Sequence, residues 1–244
     1  MFRFFCSLNE IAEKQIQLHG ENARHIHVVR GKAGDSITVC DGAGTDYACV
    51  IAEVCKKVVL LDIVDKCPAL GEPALKITLF QALPKSDKMD QLIQKSVELG
   101  VHAIVPVQTA FAITKVSGKA EAKATRWQKI AESAAKQCGR GIIPCVHNPV
   151  AFAEAITMSQ TLDRTFAAYE KEKSLMLSAA LSETNDAGMR IGILIGPEGG
   201  FSDNEAAVFA RHNIPAVSLG RRILRTETAG FAAILTCLIV NKEL

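Results

Sequence analysis

Three arginines stand close together near the carboxyl end of the chain. Arg221, Arg222 and Arg225 lie within SLGRRILRTETA, Ser218–Ala229. Guanidinium groups in such a cluster meet phosphates or stabilise negative charge that develops in a reaction. Arg225 is the candidate for the second role. It follows the apolar pair Ile223 and Leu224, and a cation on a partly desolvated wall acts more strongly than one in water. Arg221 and Arg222 come earlier in the loop and suit phosphates. Two carboxylates accompany them: Glu227 in the same stretch, and Glu198 in RIGILIGPEGGFSDNE, Arg190–Glu205. Either is a candidate general base. The plainer reading of Glu198 is loop packing, and that of Glu227 is pairing with a helix dipole. Around Glu198, Gly196, Gly199 and Gly200 suit a loop that needs positive φ or close backbone approach.

The elements that hold these residues follow from local pattern. Ile191–Ile195 is a short β-branched run and predicts a buried strand. Ser202 and Glu205 form a capping box ahead of an apolar run. Strand, glycine loop and helix start together place backbone N–H groups at a strand's carboxyl end, where open α/β sheets bind ligands. The second stretch repeats the plan. Ala216–Leu219 predicts a strand, Gly220 a turn, and Thr226 or Thr228 a cap for the last helix. Ile223 and Leu224 either pack under a core or wall a pocket for a flat ring. Two glycine loops at successive strand ends favour one ligand site over two bare turns. Neither loop carries G-x-G-x-x-G or G-K-[ST], so the dinucleotide fingerprint and the P-loop are excluded.

The chain has 244 residues, 48% apolar and 22% charged, with net charge +2. That is a globular composition with room for two domains. Residues 1–70 predict short strands with turns, at Ser36–Cys40, Tyr47–Val54 and Lys57–Val64, and hence a small barrel. Cys67–Pro73 has two prolines and a glycine and predicts the linker. From 74 to 244 strands and helices alternate. The strands are Leu75–Leu83, Ala103–Val107, Phe166–Tyr169, Ile191–Ile195 and Ala216–Leu219. Helices are expected around Met89–Val97 and over Ala120–Cys138, Leu175–Leu181, Ala206–Arg211 and Gly230–Val240. The pattern predicts an α/β domain with a largely parallel sheet. Basic residues concentrate between Lys85 and Arg140, ten against five acidic, whereas residues 1–72 carry eight against ten. His25 and His27 have no third ligand nearby and read as strand or surface residues. The eight cysteines contain no C-x-x-C pair, so no metal is expected. No apolar run has membrane length and the amino terminus lacks a signal-peptide core, so a cytoplasmic protein is expected.

IGPEGGFS at Ile195–Ser202 and LGRRILRTETA at Leu219–Ala229 resemble the two signature loops of the RsmE family. IQKSVELGV at Ile93–Val101, KQCGR at Lys136–Arg140, His25–Arg30 and DGAG at Asp41–Gly44 extend the resemblance over nearly the whole chain. Arg221 stands where the family usually has proline, and Lys136 where it usually has glutamate. The resemblance implies an S-adenosylmethionine-dependent SPOUT methyltransferase acting on N3 of a uridine in 16S ribosomal RNA of the small ribosomal subunit. It implies a trefoil-knotted, mostly parallel sheet flanked by helices at 74–244, a PUA-like RNA-binding β-barrel at 1–70, and a homodimer. The cofactor loops it implies contain Tyr169, Glu170, Ile195, Gly196, Gly199, Gly200, Leu219, Gly220, Ile223, Leu224 and Thr228. RNA contact falls to Arg30, Lys85, Lys129, Lys136, Arg140, Arg221 and Arg222. Two other classes compete: a ribosome-assembly protein with a vestigial pocket, against which the intact loops weigh, and a ligase or kinase, against which the missing phosphate motif weighs.

Overall fold

The computed structural model describes residues 3–85, 88–112, 120–181 and 188–244. They fall into two compact units: residues up to Glu72 with Ala135–Ile143, and Pro73–Ala134 with Pro144–Leu244.

The first unit contains strands β1 (Arg3–Phe5), β2 (Gln15–His19), β3 (Ser36–Cys40), β4 (Thr45–Val54) and β5 (Val58–Pro68). They form one sheet in the order β1-β3-β4-β5-β2, with β1 parallel to β3 and the other pairs antiparallel. Period-two alternation selects the inner face. In β2, Ile16 and Leu18 are buried while Gln15, Gln17 and His19 are exposed. Phe4, Val39, Ile51 and Leu61 join the same core. Helix α1 (Gly20–Val28) buries Ala23 and Ile26, so His25 and His27, expected to be strand or surface residues, are exposed residues of a helix. Residues two apart on a helix diverge by about 200°. The His25 ring meets Phe4 edge-on at 5.3 Å, and His27 hydrogen-bonds to the Cys55 carbonyl.

Ala135–Ile143 joins this unit through backbone bonds such as Gly44 N–H to the Gly141 carbonyl, 3.1 Å. Arg140, expected to meet RNA, is only 5% exposed. Its Nε and Nη2 donate to Glu72 at 3.2 and 2.7 Å. Glu72 also accepts from the N–H groups of Gly141 and Ile142. Burial alone would raise the Glu72 carboxyl, but Arg140 and the two amides outweigh it and hold it below the ordinary range. The expectation for Arg140 is therefore corrected: its charge is committed inside the fold. Removing one partner of such a buried pair costs about 3–5 kcal/mol.

The second unit carries β6 (Lys76–Ala82), α2 (Lys88–Glu98), β7 (Ala103–Gln108), α3 (Ala120–Cys138, with its last turn in the first unit), β8 (Cys145–Val146), β9 (Val150–Ala151) and α4 (Phe152–Ser159). Then come β10 (Arg164–Ala168), α5 (Leu177–Leu181), β11 (Arg190–Ile195), α6 (Asp203–Arg211), β12 (Ala216–Val217) and α7 (Thr226–Val240). The sheet order is β12-β10-β11-β6-β7-β8, with β9 beside β7, and every pairing is parallel. From β6 the chain moves out to β7 and β8, then lays β11 on the other side of β6. Such a reversal opens a crevice at the carboxyl ends of the strands.

One core cluster joins Phe80, Val105, Ala167 and Leu194 to Ile156 of α4 and Phe209 of α6. Helix α7 packs against α2, α5, β6 and β11. It begins four residues before the expected Gly230. Local signals oppose it: its N-cap, Arg225, makes no side-chain capping bond, and an interior glycine costs about 1 kcal/mol. Burial of Ile234 and Leu238, each contributing about 1.5–3 kcal/mol, outweighs both. A Cβ on Gly230 would stand 3.3 Å from Gln81 Oε1, a tight contact with that buried side chain. No described helix is long and apolar enough to cross a membrane.

Candidate active site

Strands β12, β10 and β11 are sheet neighbours and parallel, so their carboxyl ends open side by side. The segments that follow them line one cavity of about 910 Å³. Tyr169, Glu170, Ile195, Gly196, Gly199, Gly200, Leu219, Gly220, Ile223 and Leu224 line it, as do Glu198, Arg221, Arg222 and Arg225. Thr228 and Glu227 are not among its lining residues. Thr228 is exposed in the first turn of α7, and Thr226 lines the cavity instead.

The loop after β11 is fixed from several sides. Ser202 accepts from the Glu205 N–H at 3.3 Å, and Glu205 returns a bond to the Ser202 N–H at 2.9 Å. The other Glu205 oxygen accepts from the Ala110 N–H at 2.8 Å. A Cβ on Gly196 would lie 3.1 Å from the carbonyl carbon of Gly200 and 3.3 Å from the Phe201 ring. Gly200 has φ +69°, and a Cβ there would lie 2.8 Å from the Glu170 carboxylate. Gly196 therefore permits close packing within the loop, and Gly200 close packing against Glu170 of the loop after β10. Glu198 accepts from the Lys85 N–H at 3.1 Å, and its carboxylate faces the Lys88 ammonium at 3.5 Å. Burial would raise its carboxyl, but its own N–H, the Lys85 N–H and Lys88 hold it below the usual range. A carboxylate so stabilised is a poor proton acceptor. Glu227, the other candidate base, pairs with the same Lys88 at 3.3 Å.

The loop after β12 is open. Arg221, Arg222, Ile223 and Arg225 are exposed. Ile223 is 86% exposed, so it packs under no core within this chain. Neither Thr226 nor Thr228 caps α7. The Thr226 hydroxyl donates to the Gly196 carbonyl at 2.6 Å and accepts from the Gln81 side-chain amide at 2.8 Å. Gln81, fully buried at the end of β6, thus ties the start of α7 to the loop after β11. Its role was missed from sequence; the available signal was one glutamine in the otherwise apolar end of KITLFQA. In the third loop Glu172 accepts from the Ser174 hydroxyl and from the N–H groups of Leu175 and Ser174, which hold its carboxyl at about 2.

Of the other cations expected to meet RNA, Lys85 and Lys129 are exposed and Lys136 is half-buried. Arg30 is exposed just beyond α1, with φ 57°. Helix α3 ends at Cys138 and Gly139 turns at φ +81°, so Arg140 does not continue the face of Lys129 and Lys136. Among the described residues no group of three metal-ligating side chains converges.

The fold and its loop-built cavity define a class, an RNA methyltransferase domain joined to a PUA domain. Residues 71–237 match the family model described as RNA methyltransferase domain, and residues 4–64 match the RNA methyltransferase PUA domain. The chain is 33% identical to the ribosomal RNA small subunit methyltransferase E of Bacillus subtilis, over 96% of this chain and 94% of that one. A solved structure of the Neisseria gonorrhoeae enzyme of that name, bound to S-adenosyl methionine, superposes with TM-score 0.84 at 31% identity, covering 98% of each chain. A Legionella pneumophila methyltransferase in complex with the same cofactor gives 0.82 at 29%, covering 98% of this chain and 97% of that one. The chain belongs to the ribosomal RNA small subunit methyltransferase E family.

Proposed function

We propose that the chain is an S-adenosylmethionine-dependent methyltransferase that methylates N3 of a uridine in 16S ribosomal RNA of the small subunit. The observation that carries this is the single cavity built from three loops at adjacent parallel strand ends. Its volume suits a cofactor-sized ligand. Ile195, Leu219 and Leu224 offer an apolar wall for a flat ring, and Gly196, Gly199 and Gly220 offer bare backbone. The bound cofactor supplies an electrophilic methyl group on a sulfonium.

Everything else falls to the chain. Uracil N3 carries a hydrogen on its pairing edge, so the base must be unpaired to enter the cavity. As that proton leaves, charge spreads onto O2 and O4. Arg225, on the cavity lining with no side-chain partner among the described residues, is placed to meet it. Glu198 and Glu227 both serve Lys88, so in this reading neither is the base and the proton passes to water. Arg221 and Arg222 at the mouth hold the backbone phosphates, with Lys85, Lys129, Lys136 and Arg30 as further contacts. Residues 1–70 act as the RNA-binding module and 74–244 as a knotted catalytic domain, working in the cytoplasm. The reading includes a homodimer, and the exposed Ile223 and Ile239 are side chains to test for its interface.

Calorimetric titration with S-adenosylhomocysteine and with ATP tests the cofactor. Micromolar binding of the first and none of the second is expected; the reverse would sink the reading. Mapping of ribosomal RNA from a deletion strain tests the target, and an unchanged uridine N3 pattern would refute it.

A further inference from the structure

Lys88 opens α2 with its ammonium between two carboxylates, Glu198 Oε1 at 3.5 Å and Glu227 Oε1 at 3.3 Å. The carboxylates come from different segments. Glu198 belongs to the loop after β11, and Glu227 to the first turn of α7, which follows the loop after β12. A cation at the first residue of a helix opposes the positive end of the dipole. Local preference would not place lysine there, and residues that break a local rule concentrate at functional sites. Glu198 has the Lys85 N–H beside this cation, whereas the cation is the only ion-pair partner of Glu227 among the described residues. Their side chains are 15% and 29% exposed. Glu227 Oε2 is buried with no hydrogen-bond partner among the described residues.

We propose that Lys88 is a positioning residue that latches the two cofactor loops, holding Glu198 and Glu227 to one ammonium so that the cavity is formed before the cofactor arrives. This rests on the reading of the cavity as the cofactor site. Without the ammonium, two partly buried like charges face each other and push the loops apart. Each binding event must then draw them back, and the cost appears as lost affinity. The latch is electrostatic, so removing one of the carboxylates relieves what removing the cation causes.

The experiment is a double-mutant cycle of charge neutralisation read by calorimetry with S-adenosylhomocysteine, on full-length protein of confirmed melting behaviour. Lys88→Met is expected to weaken binding by about tenfold, the effect of an uncompensated like-charge pair near a protein surface. Turnover at saturating cofactor stays near the unmodified rate. Lys88→Arg keeps the cation and binds as the unmodified chain does. Lys88→Met combined with Glu227→Gln recovers most of the lost affinity, which a purely steric role for lysine would not allow. Unchanged binding in Lys88→Met, or a double variant as weak as Lys88→Met, overturns the latch alone. An unmodified chain that binds no S-adenosylhomocysteine overturns the cofactor reading and the latch with it.

Discussion

The loop after β11 and the loop after β12 share a plan in sequence, glycine between strand and helix, and are built in opposite ways. In the first, Gly196 closes on Gly200 and Phe201, Gly199 on Phe111, and Gly200 on Glu170. Glu198 and Glu205 add bonds to Lys85, Lys88 and Ala110. In the second, a Cβ on Gly220 would meet nothing within 4 Å, and the following arginines stand exposed. Glycine serves packing as well as backbone direction in the first loop, where Gly200 holds φ +69°, and backbone direction alone in the second, where Gly220 holds φ +127°. A loop packed tightly against itself and its neighbours is a preorganised cradle, and an open loop that carries charge can meet a large, variable substrate. The two should therefore fail differently when mutated.

The largest effect is expected at Gly196. A Cβ there already crowds the Gly200 backbone at 3.1 Å, and valine adds two more carbons. Overpacking of this kind costs up to about 3 kcal/mol, a hundredfold or more in affinity if the cradle opens. Gly196→Val should lose S-adenosylhomocysteine binding while its melting transition survives. Full affinity in a folded variant would mean that this loop is no cradle.

Next comes Arg225→Lys. Lysine keeps the charge and loses the planar fork. A group that meets charge mainly in the transition state affects turnover more than binding. The expected loss is about 10²-fold in kcat, the scale of a missing charge-stabilising donor, with cofactor and RNA affinities little changed. A variant that turns over normally but binds RNA poorly would exchange the roles of Arg225 and Arg222.

Gly220→Ala should do less than either. No atom obstructs the new Cβ, so only backbone strain remains, about 1–3 kcal/mol at such a φ. Part of it is met by local adjustment of an exposed loop. Cofactor affinity should fall by about tenfold. A loss as complete as that of Gly196→Val would end the distinction between a packed and an open loop.

What could be read from sequence follows the same division. The Ser202–Glu205 box, the glycine loops and the bounds of α3 are local signals, and local signals were legible. The partners that fix the loops were not. Gln81 acts on Thr226 across 145 positions, and Glu72 on Arg140 across 68; no spacing rule reaches that far. RNA contact by Arg140 is implied by the family resemblance, and nothing local in KQCGR shows that Glu72 takes the guanidinium once Gly139 has turned the chain. Of the strand-or-surface reading of His25 and His27, the surface half holds, since both are exposed, and burial of Ala23 and Ile26 makes their segment a helix and not a strand. The early start of α7 is not marked by a cap: its N-cap is Arg225, which makes no side-chain capping bond, and Thr226, expected as a cap, is already the first helical residue with its hydroxyl on the Gly196 carbonyl.

Arg222→Ala sharpens the comparison from the substrate side. One lost phosphate contact lowers the slope of log affinity against log salt by about 1. RNA affinity at moderate salt should fall several-fold, with single-turnover rate at saturation near normal. An unchanged salt slope would remove Arg222 from the phosphate set.

The smallest effect belongs to the third loop, which is built by yet another device. Glu172 gathers the Ser174 hydroxyl and the Leu175 and Ser174 N–H groups on one carboxylate oxygen, on the cavity lining. These bonds lower its carboxyl from 4.5 to about 2. A carboxyl lowered on folding stabilises the folded loop fully above its ordinary value, and that contribution is lost as pH falls through the folded value. Between pH 5 and 9 this loop should therefore add no pH dependence to cofactor binding. Below about pH 4.5, affinity should begin to decline as the loop loosens. Glu172→Gln keeps an acceptor oxygen in the same place, so its affinity at neutral pH should stay within about twofold of the unmodified chain, and its acid decline should be flatter. Calorimetry from pH 7 down to 4 in both proteins separates the outcomes. An identical acid decline in the glutamine variant would assign it to another group, and a decline centred near neutral pH would show that Glu172 does not hold this loop.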